Sequence, residues 1–514
     1  MKKAVCVFVS ALLCFCLASC KSQDNGLSSS SIVSENVKVK NEEINLLYFS
    51  GDSFNPYTAK TKYNREISRL IYDRLIKCDN DFNPVYCLAK SAELDGNRCI
   101  VSLNSANFTD GSPVTAADVI YSYNIAKKSD TPFAASLYEV VSAVEVSGAV
   151  EFTLDRTDPY FLNLLDFPII KKNSDGIKNS DGVEQPPIGS GRYYVLDGAL
   201  LRNESYFGKK GAVSKINLIN APDEISAFHY VEVGAADIYY ADESVENIAR
   251  MSGKRADVNT NSFVYIGINS AYEPLSNSFL RYALSAAINR TEICHNAYFD
   301  NAVPATGYFN PKIRETAAVQ SLKNISDTQI TVENLDKIGY NRLVNGYYVN
   351  NSGNRLRLSL LVNSDNSSRV LAARLISEEC RAAGIEITVS ERPYNEYLSL
   401  LSSGGFQLYL GEIKVPANHD MSSLVLPGGS AAYGVTAKSG EDNLPASKTV
   451  CEEMIGRYRQ GQCGIADLAG AFLTEMPQIP VCYRNGILFY TSRIKNTAEP
   501  TVSDIFFGFE NYKF

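Results

Sequence analysis

Polar and apolar positions change rhythm several times along the chain, and each change marks a structural boundary. Behind Lys2 and Lys3, residues 4–17 are almost wholly apolar. That run suits a secretory signal over residues 1–19 and falls short of the about 20 residues a permanent membrane helix needs. Residues 21–39 then turn to Ser, Asn, Asp and Lys, with a serine run at 28–31. Such a stretch buries too little apolar surface to offset chain entropy, so residues 20–43 are expected to form a flexible tether. Ile44, Leu46, Leu47, Tyr48 and Phe49 predict a strand that closes at Ser50, Gly51, Asp52 and Ser53. Asn55 and Pro56 mark a turn, and Ile67, Leu70, Ile71 and Leu75 recur at helical spacing, which predicts a helix over 63–75.

From about residue 79 to 155 the pattern shortens into alternating runs, notably 98–103 and 150–154, which predict strands. They flank a helix opened by Thr115, whose Asp118 three residues on completes a capping pair. That capping role is the better account of Asp118 than catalysis. A Gly/Pro-rich passage at 182–191 ends this α+β insertion, and Gly189, Ser190 and Gly191 read as a turn entering a strand. Strand and helix segments follow at 216–219, 226–233 and 236–240. A third tract, 263–476, carries strands at 263–268, 355–361 and 385–389 and helices at 279–289, 368–383 and 395–402. Strand after helix after strand argues for an α/β lobe.

Composition narrows the chemistry. The chain has 514 residues, room for more than one domain, and a formal net charge of -8 that excludes the basic footprint of nucleic-acid binding. Its three histidines, His229, His295 and His419, share no metal-ligand spacing, and no nucleophile elbow, phosphate-cradling loop or metal-spaced cysteine pair occurs. An enzyme is not expected, and neither a metal nor a cofactor is implied. Beyond Cys20 lie Cys78, Cys87, Cys99, Cys294, Cys380, Cys451, Cys463 and Cys482, an even set that disulfides or buried thiols explain equally well.

Leu17, Ala18, Ser19 and Cys20 resemble the lipobox of bacterial lipoproteins, in which the cysteine thiol is acylated and becomes the mature N-terminus. A second resemblance covers the body. Residues 107–122 read Asn-Phe-Thr-Asp-Gly-Ser-Pro-Val-Thr-Ala-Ala-Asp-Val-Ile-Tyr-Ser, similar to a signature segment of the extracellular solute-binding proteins of family 5, the oligopeptide, dipeptide and nickel receptors of ABC importers. Further matches follow in order: Pro-Ile-Gly-Ser-Gly-Arg-Tyr at 187–193, Gly-Ala-Ala-Asp-Ile at 234–238, Leu-Arg-Tyr-Ala-Leu-Ser-Ala-Ala-Ile-Asn-Arg at 280–290 and Glu-Met-Pro-Gln-Ile-Pro-Val-Cys-Tyr at 475–483.

The resemblance implies an α/β fold of the large periplasmic-binding-protein type, two lobes around a cleft with an extra α+β domain inserted in the first lobe. Lobe I would comprise 44–78, 186–262 and 477–514, the insertion 79–185 and lobe II 263–476, with crossings near 260–266 and 475–483. It also implies a monomer held at the extracytoplasmic face of the cell membrane through Cys20, taking a peptide-like or other small polar solute to an ABC permease.

For the solute, the family's first-strand loop points to Ser50, Gly51, Asp52, Ser53 and Phe54, with Tyr265 and Asn269 near the first crossing. Peptide-binding relatives carry an aspartate for the ligand ammonium within a Gly-Trp-x-x-Asp pattern. Here Glu412 takes the tryptophan position, and Lys414 with Val415 stands where the aspartate is sought. A lysine repels an ammonium and attracts a carboxylate or phosphate, although Glu412 or Asp420 could supply the charge in a shifted register. Asn418, His419, Asp420 and Tyr433 complete the candidate set. A surface receptor for signalling, adhesion or a peptide pheromone, and a receptor for a nickel or other metal chelate, are the alternatives.

Overall fold

Two long strands, Lys254–Ile268 and Gln478–Tyr490, run side by side and antiparallel through the middle of the molecule. The computed structural model describes residues 42–242, 253–434, 449–495, 499–501 and 503–514. The leader, Cys20 and nearly all of the expected tether lie outside the described residues.

The two strands are the centre of one mixed sheet. On one side follow Ile238–Ala241, Glu42–Tyr48, Val213–Asn220, Ala199–Arg202 and Tyr193–Leu196; on the other follow Leu408–Lys414, Arg357–Asn363 and Glu386–Arg392. Each wing contains parallel pairs, Glu42–Tyr48 with Val213–Asn220 and Arg357–Asn363 with Glu386–Arg392. Separate cores form on these wings. Ile44, Leu46, Leu70, Ile216 and Leu488 belong to the first, and Val264, Ile266, Leu360, Ile376, Leu410 and Ile479 to the second. Side chains alternate across a strand, so Phe263 and Tyr265 turn to the opposite face and join Tyr308, Tyr409, Phe472 and Tyr483 in a third, aromatic core. The fold is therefore the expected two-lobed α/β arrangement. The strand Gln478–Tyr490 serves both lobes: Ile479, Val481 and Cys482 pack in the second core, Leu488 and Tyr490 in the first.

The insertion is a four-stranded antiparallel sheet, Ala89–Asp95, Arg98–Leu103, Ala149–Leu154 and Val140–Val146 in spatial order. The helix Ala116–Ala126 contributes Ala116, Val119, Tyr123 and Ala126 to the same core. The capping box is present, since Asp118 accepts from the Thr115 amide at 2.9 Å and its hydroxyl at 2.6 Å. Asp118 also accepts from the Lys172 amide at 2.9 Å, which pins a distant loop to the helix start. Val101, Val119, Phe152 and Phe161 are continuous with the first lobe's core, so insertion and lobe I are buried as one mass.

The expected helix over 63–75 is shorter, Lys62–Ile71. The Ile71 carbonyl accepts from the Gly191 amide at 2.9 Å instead of continuing the helix, and Tyr72 turns extended. This explains the glycines at the start of the second motif. A Cβ on Gly191 would sit 2.5 Å from the Ile71 carbonyl and from the Leu70 oxygen, both backbone atoms with no freedom to rotate away. All eight described cysteines are free thiols, and burial pushes the Cys99 thiol up to about 12.

Gly191→Ala should lower stability by about 1–3 kcal/mol, the usual cost of overpacking. Urea titration would show a lower midpoint at unchanged slope; an unmoved midpoint would mean that the turn can slide off the helix.

Candidate functional site

In open parallel sheets the space outside the carboxyl ends of the strands is where a ligand can reach exposed loops. Here the carboxyl ends of Ile238–Ala241 on one wing and Leu408–Lys414 on the other are brought together by Arg484. On the first wing the strand Glu42–Tyr48 ends in the loop 49–54. Its shape is imposed by two side chains. Asn64 accepts from the Phe49 amide at 2.8 Å and donates to the Phe49, Asp52 and Ser53 carbonyls. Asp52 accepts from the amides of Ser53, Lys60 and Thr61 and from the Thr61 hydroxyl. Partial burial raises its carboxyl, and these donors more than reverse that, leaving it below the ordinary value. Asp52 thus shapes the loop. Ser53 caps the Asn55 amide, the Ser50 amide is held by Asn220, Gly51 is exposed, and Phe54 stacks on Tyr48 at 6.0 Å.

On the second wing, Glu412 lies near the end of the strand Leu408–Lys414. Arg369, in the first turn of the helix Ser367–Ala382, donates to it at 2.8 and 3.1 Å, and Arg484 donates at 2.9 Å. Arg484 also donates to the backbone carbonyl of Asp242, at the carboxyl end of the first wing's strand Ile238–Ala241. One buried guanidinium therefore bridges the two wings. Burial raises the Glu412 carboxyl, but the two guanidiniums hold it below the ordinary range. Arg369, Arg484 and Asp242 were not singled out from the sequence. Arg484 directly follows the motif at 475–483, yet nothing local signals that its partners stand 72 and 242 residues away.

Lys414 ends the same strand, exposed, paired in register with Ser262 and without an ion-pair partner among the described residues. Tyr265 and Asn269 are committed to packing. Tyr265 is stacked on Phe263 at 5.4 Å, and the Asn269 amide donates to the Gly404 and Phe406 carbonyls. Tyr433 is half-buried, edge-on to Tyr409 at 6.1 Å.

The loop after Lys414 turns toward the insertion. Asn418 donates to Asp158 at 2.8 Å, both buried, and Asn163 donates to the Ala417 carbonyl. Asp420 accepts from the Tyr138 hydroxyl at 2.7 Å, the Ser422 amide at 2.8 Å and Arg459 at 3.2 Å. Burial raises the Asp420 carboxyl, and Arg459 with the other donors brings it below its ordinary value. His419, 2% exposed, sits between Phe82 and Tyr160 at 4.7 and 4.9 Å, with no hydrogen-bond partner at either nitrogen among the described residues. Burial pushes it down to about 3, so it is neutral. His229 and His295 are exposed.

Residues 83–434 match the family described as "Bacterial extracellular solute-binding proteins, family 5 Middle". The chain belongs to the bacterial extracellular solute-binding proteins of family 5. It is 24% identical over 382 residues to the oligopeptide-binding protein AppA of Bacillus subtilis (strain 168), covering 65% of this chain and 66% of that one. It is 22% identical over 393 residues to the nickel-binding periplasmic protein of Escherichia coli (strain K12), covering 69% and 74%. The chain spans about two thirds of the length of the first of these and as little as 36% of other curated relatives. Among solved structures, NikA from Brucella suis in complex with Fe(III)-EDTA aligns with a TM-score of 0.71 at 17% identity, over 92% of this chain and 100% of that chain.

Glu412→Ala would leave two guanidiniums facing each other in a buried site. It should cost about 3 kcal/mol or more, read by denaturant unfolding. A change under about 1 kcal/mol would show that water already reaches the network.

Proposed function

We propose that the protein is the lipid-anchored, extracytoplasmic substrate-binding component of an ABC importer, taking up a peptide-like or other small polar solute between its lobes and passing it to a membrane permease. What carries this reading is a member of a solute-binding family whose two sets of strand ends meet at one crevice bridged by Arg484. Such a receptor needs no bond chemistry, only groups that satisfy the solute and a closed shape that a permease can distinguish. The bulge at 259–262, with Asn261 at φ 52°, lies where the strand Lys254–Ile268 leaves one wing for the other. It is the natural place for the lobes to turn.

The solute presents a negative end to the crevice. Glu412 is saturated by two arginines and Asp420 by Tyr138, Ser422 and Arg459, so neither carboxylate is free to hold an ammonium. Lys414 is unpaired at the rim among the described residues, and a carboxylate or phosphate fits there. A metal chelate would serve in the same role with the chelator supplying the ligands, since no group of three or more His, Cys, Asp or Glu able to hold a metal occurs among the described residues. No helix among the described residues is long and apolar enough to cross a membrane.

Mass spectrometry of solute co-purified with the native protein should identify the class, and calorimetry against di- to hexapeptides as free acids and as C-terminal amides should favour the acids. Lys414→Ala should weaken the acid about tenfold, about 1.4 kcal/mol, and leave the amide unchanged. Equal affinities for acid and amide would put Lys414 outside the site. Silence across peptide, amino-sugar and chelate panels would sink the uptake reading.

A further inference from the structure

The junction between the insertion and lobe II holds more carboxylates than cations. Glu139, Asp158 and Asp420 line one small, partly open space together with Arg156, Arg459, Tyr458 and His419. Glu139 and Asp158 are 1% and 3% exposed. Asp420 is satisfied by Tyr138, Ser422 and Arg459 from both sides of the junction. Arg156 lies 3.7 Å from Glu139 and 2.7 Å from Asp155, so its charge is divided. His419 adds no positive charge, because burial keeps it neutral. That leaves Glu139 and Asp158 beside each other, both natural acceptors, with one Glu139 oxygen buried and without a partner. Two carboxylates that line one space, both nearly out of water and with only a divided cation between them, disfavour simultaneous ionisation.

Lobe II supplies the cover. Asn418 donates to Asp158, and His419, Tyr458 and Arg459 close the space above it. Parting the lobes would return both carboxylates to water, where each ionises independently.

We propose that the insertion and the loop 415–421 form a proton-linked clasp: closing the lobes takes up one proton from solvent, shared between Glu139 and Asp158, and opening releases it. Burial, followed by the neighbouring Asp158 charge, holds the Glu139 carboxyl above the ordinary carboxylate range. The sign follows. A group raised in the closed state favours that state at low pH, and the preference fades as pH climbs from the open-state value of about 4.5 toward the raised one. The clasp is shut most firmly in mildly acidic surroundings. This rests on the receptor reading above, in that the motion it controls is the capture of solute.

The Thr157 amide reports the clasp directly, because it donates across the junction to the Arg459 carbonyl at 3.1 Å. Hydrogen exchange of residues 155–163, corrected for intrinsic rates and read on the full chain without added solute, should lose protection by up to tenfold per pH unit between about pH 6 and 8. Glu139→Gln carries its hydrogens permanently and should flatten that slope. Asn418→Ala should lower protection at every pH and leave the slope. A Glu139→Gln slope equal to that of the unchanged protein, or protection independent of pH, would overturn the proton link while leaving the receptor reading intact. Full protection in every variant, Asn418→Ala included, would mean that the two bodies do not part, and would undo both.

Discussion

Among the described residues only two strands join the two halves of this molecule through its sheet, and the arrangement of the rest follows from that restriction. Lys254–Ile268 and Gln478–Tyr490 each contribute residues to both main cores, so neither half can be built without the other. Where they cross, the ladder breaks at 259–262 and polar side chains replace it. Thr260 donates to the Arg484 carbonyl at 2.5 Å, Asn261 to the Val415 carbonyl at 3.0 Å, and Asn310 to Asn261 at 3.0 Å. Buried amides like these are satisfied only in one arrangement, so the crossing is held in a defined conformation.

The charges follow from the crossing. Strand ends from both wings come together at Arg484, which is hydrogen-bonded to each of them. Once Glu412 is committed to Arg484 and Arg369, Lys414 at the strand end stands alone among the described residues. The insertion shares its core with the first lobe and meets the second through Asp158 with Asn418 and Tyr138 with Asp420.

Much of this was legible in the residue pattern because it depends on neighbours along the chain. Thr115 and Asp118 are three apart on one helix, so the capping box can be read directly. Most strand and helix spans came out close to their observed ends; the strand expected at 263–268 in fact begins at Lys254, and the helix over 63–75 was overextended because what stops it, the Gly191 amide, is 120 residues away. In the stretch 406–420 the partners of the polar side chains are distant in sequence: Arg369 and Arg484 for Glu412, Tyr138 and Arg459 for Asp420, Asp158 for Asn418. No spacing rule connects them.

Local periodicity, capping residues, glycines and ordered motifs were enough to establish the α/β class, the inserted domain and the family, since hydrophobic burial and backbone sterics act through the chain's own sequence. Which polar groups remain free for a solute was decided only by the folded arrangement. A carboxylate's availability depends on whether a guanidinium has already reached it, and that is a question of proximity in space. Glu412 and Asp420 looked available and are taken; Lys414, the exposed strand end, remains.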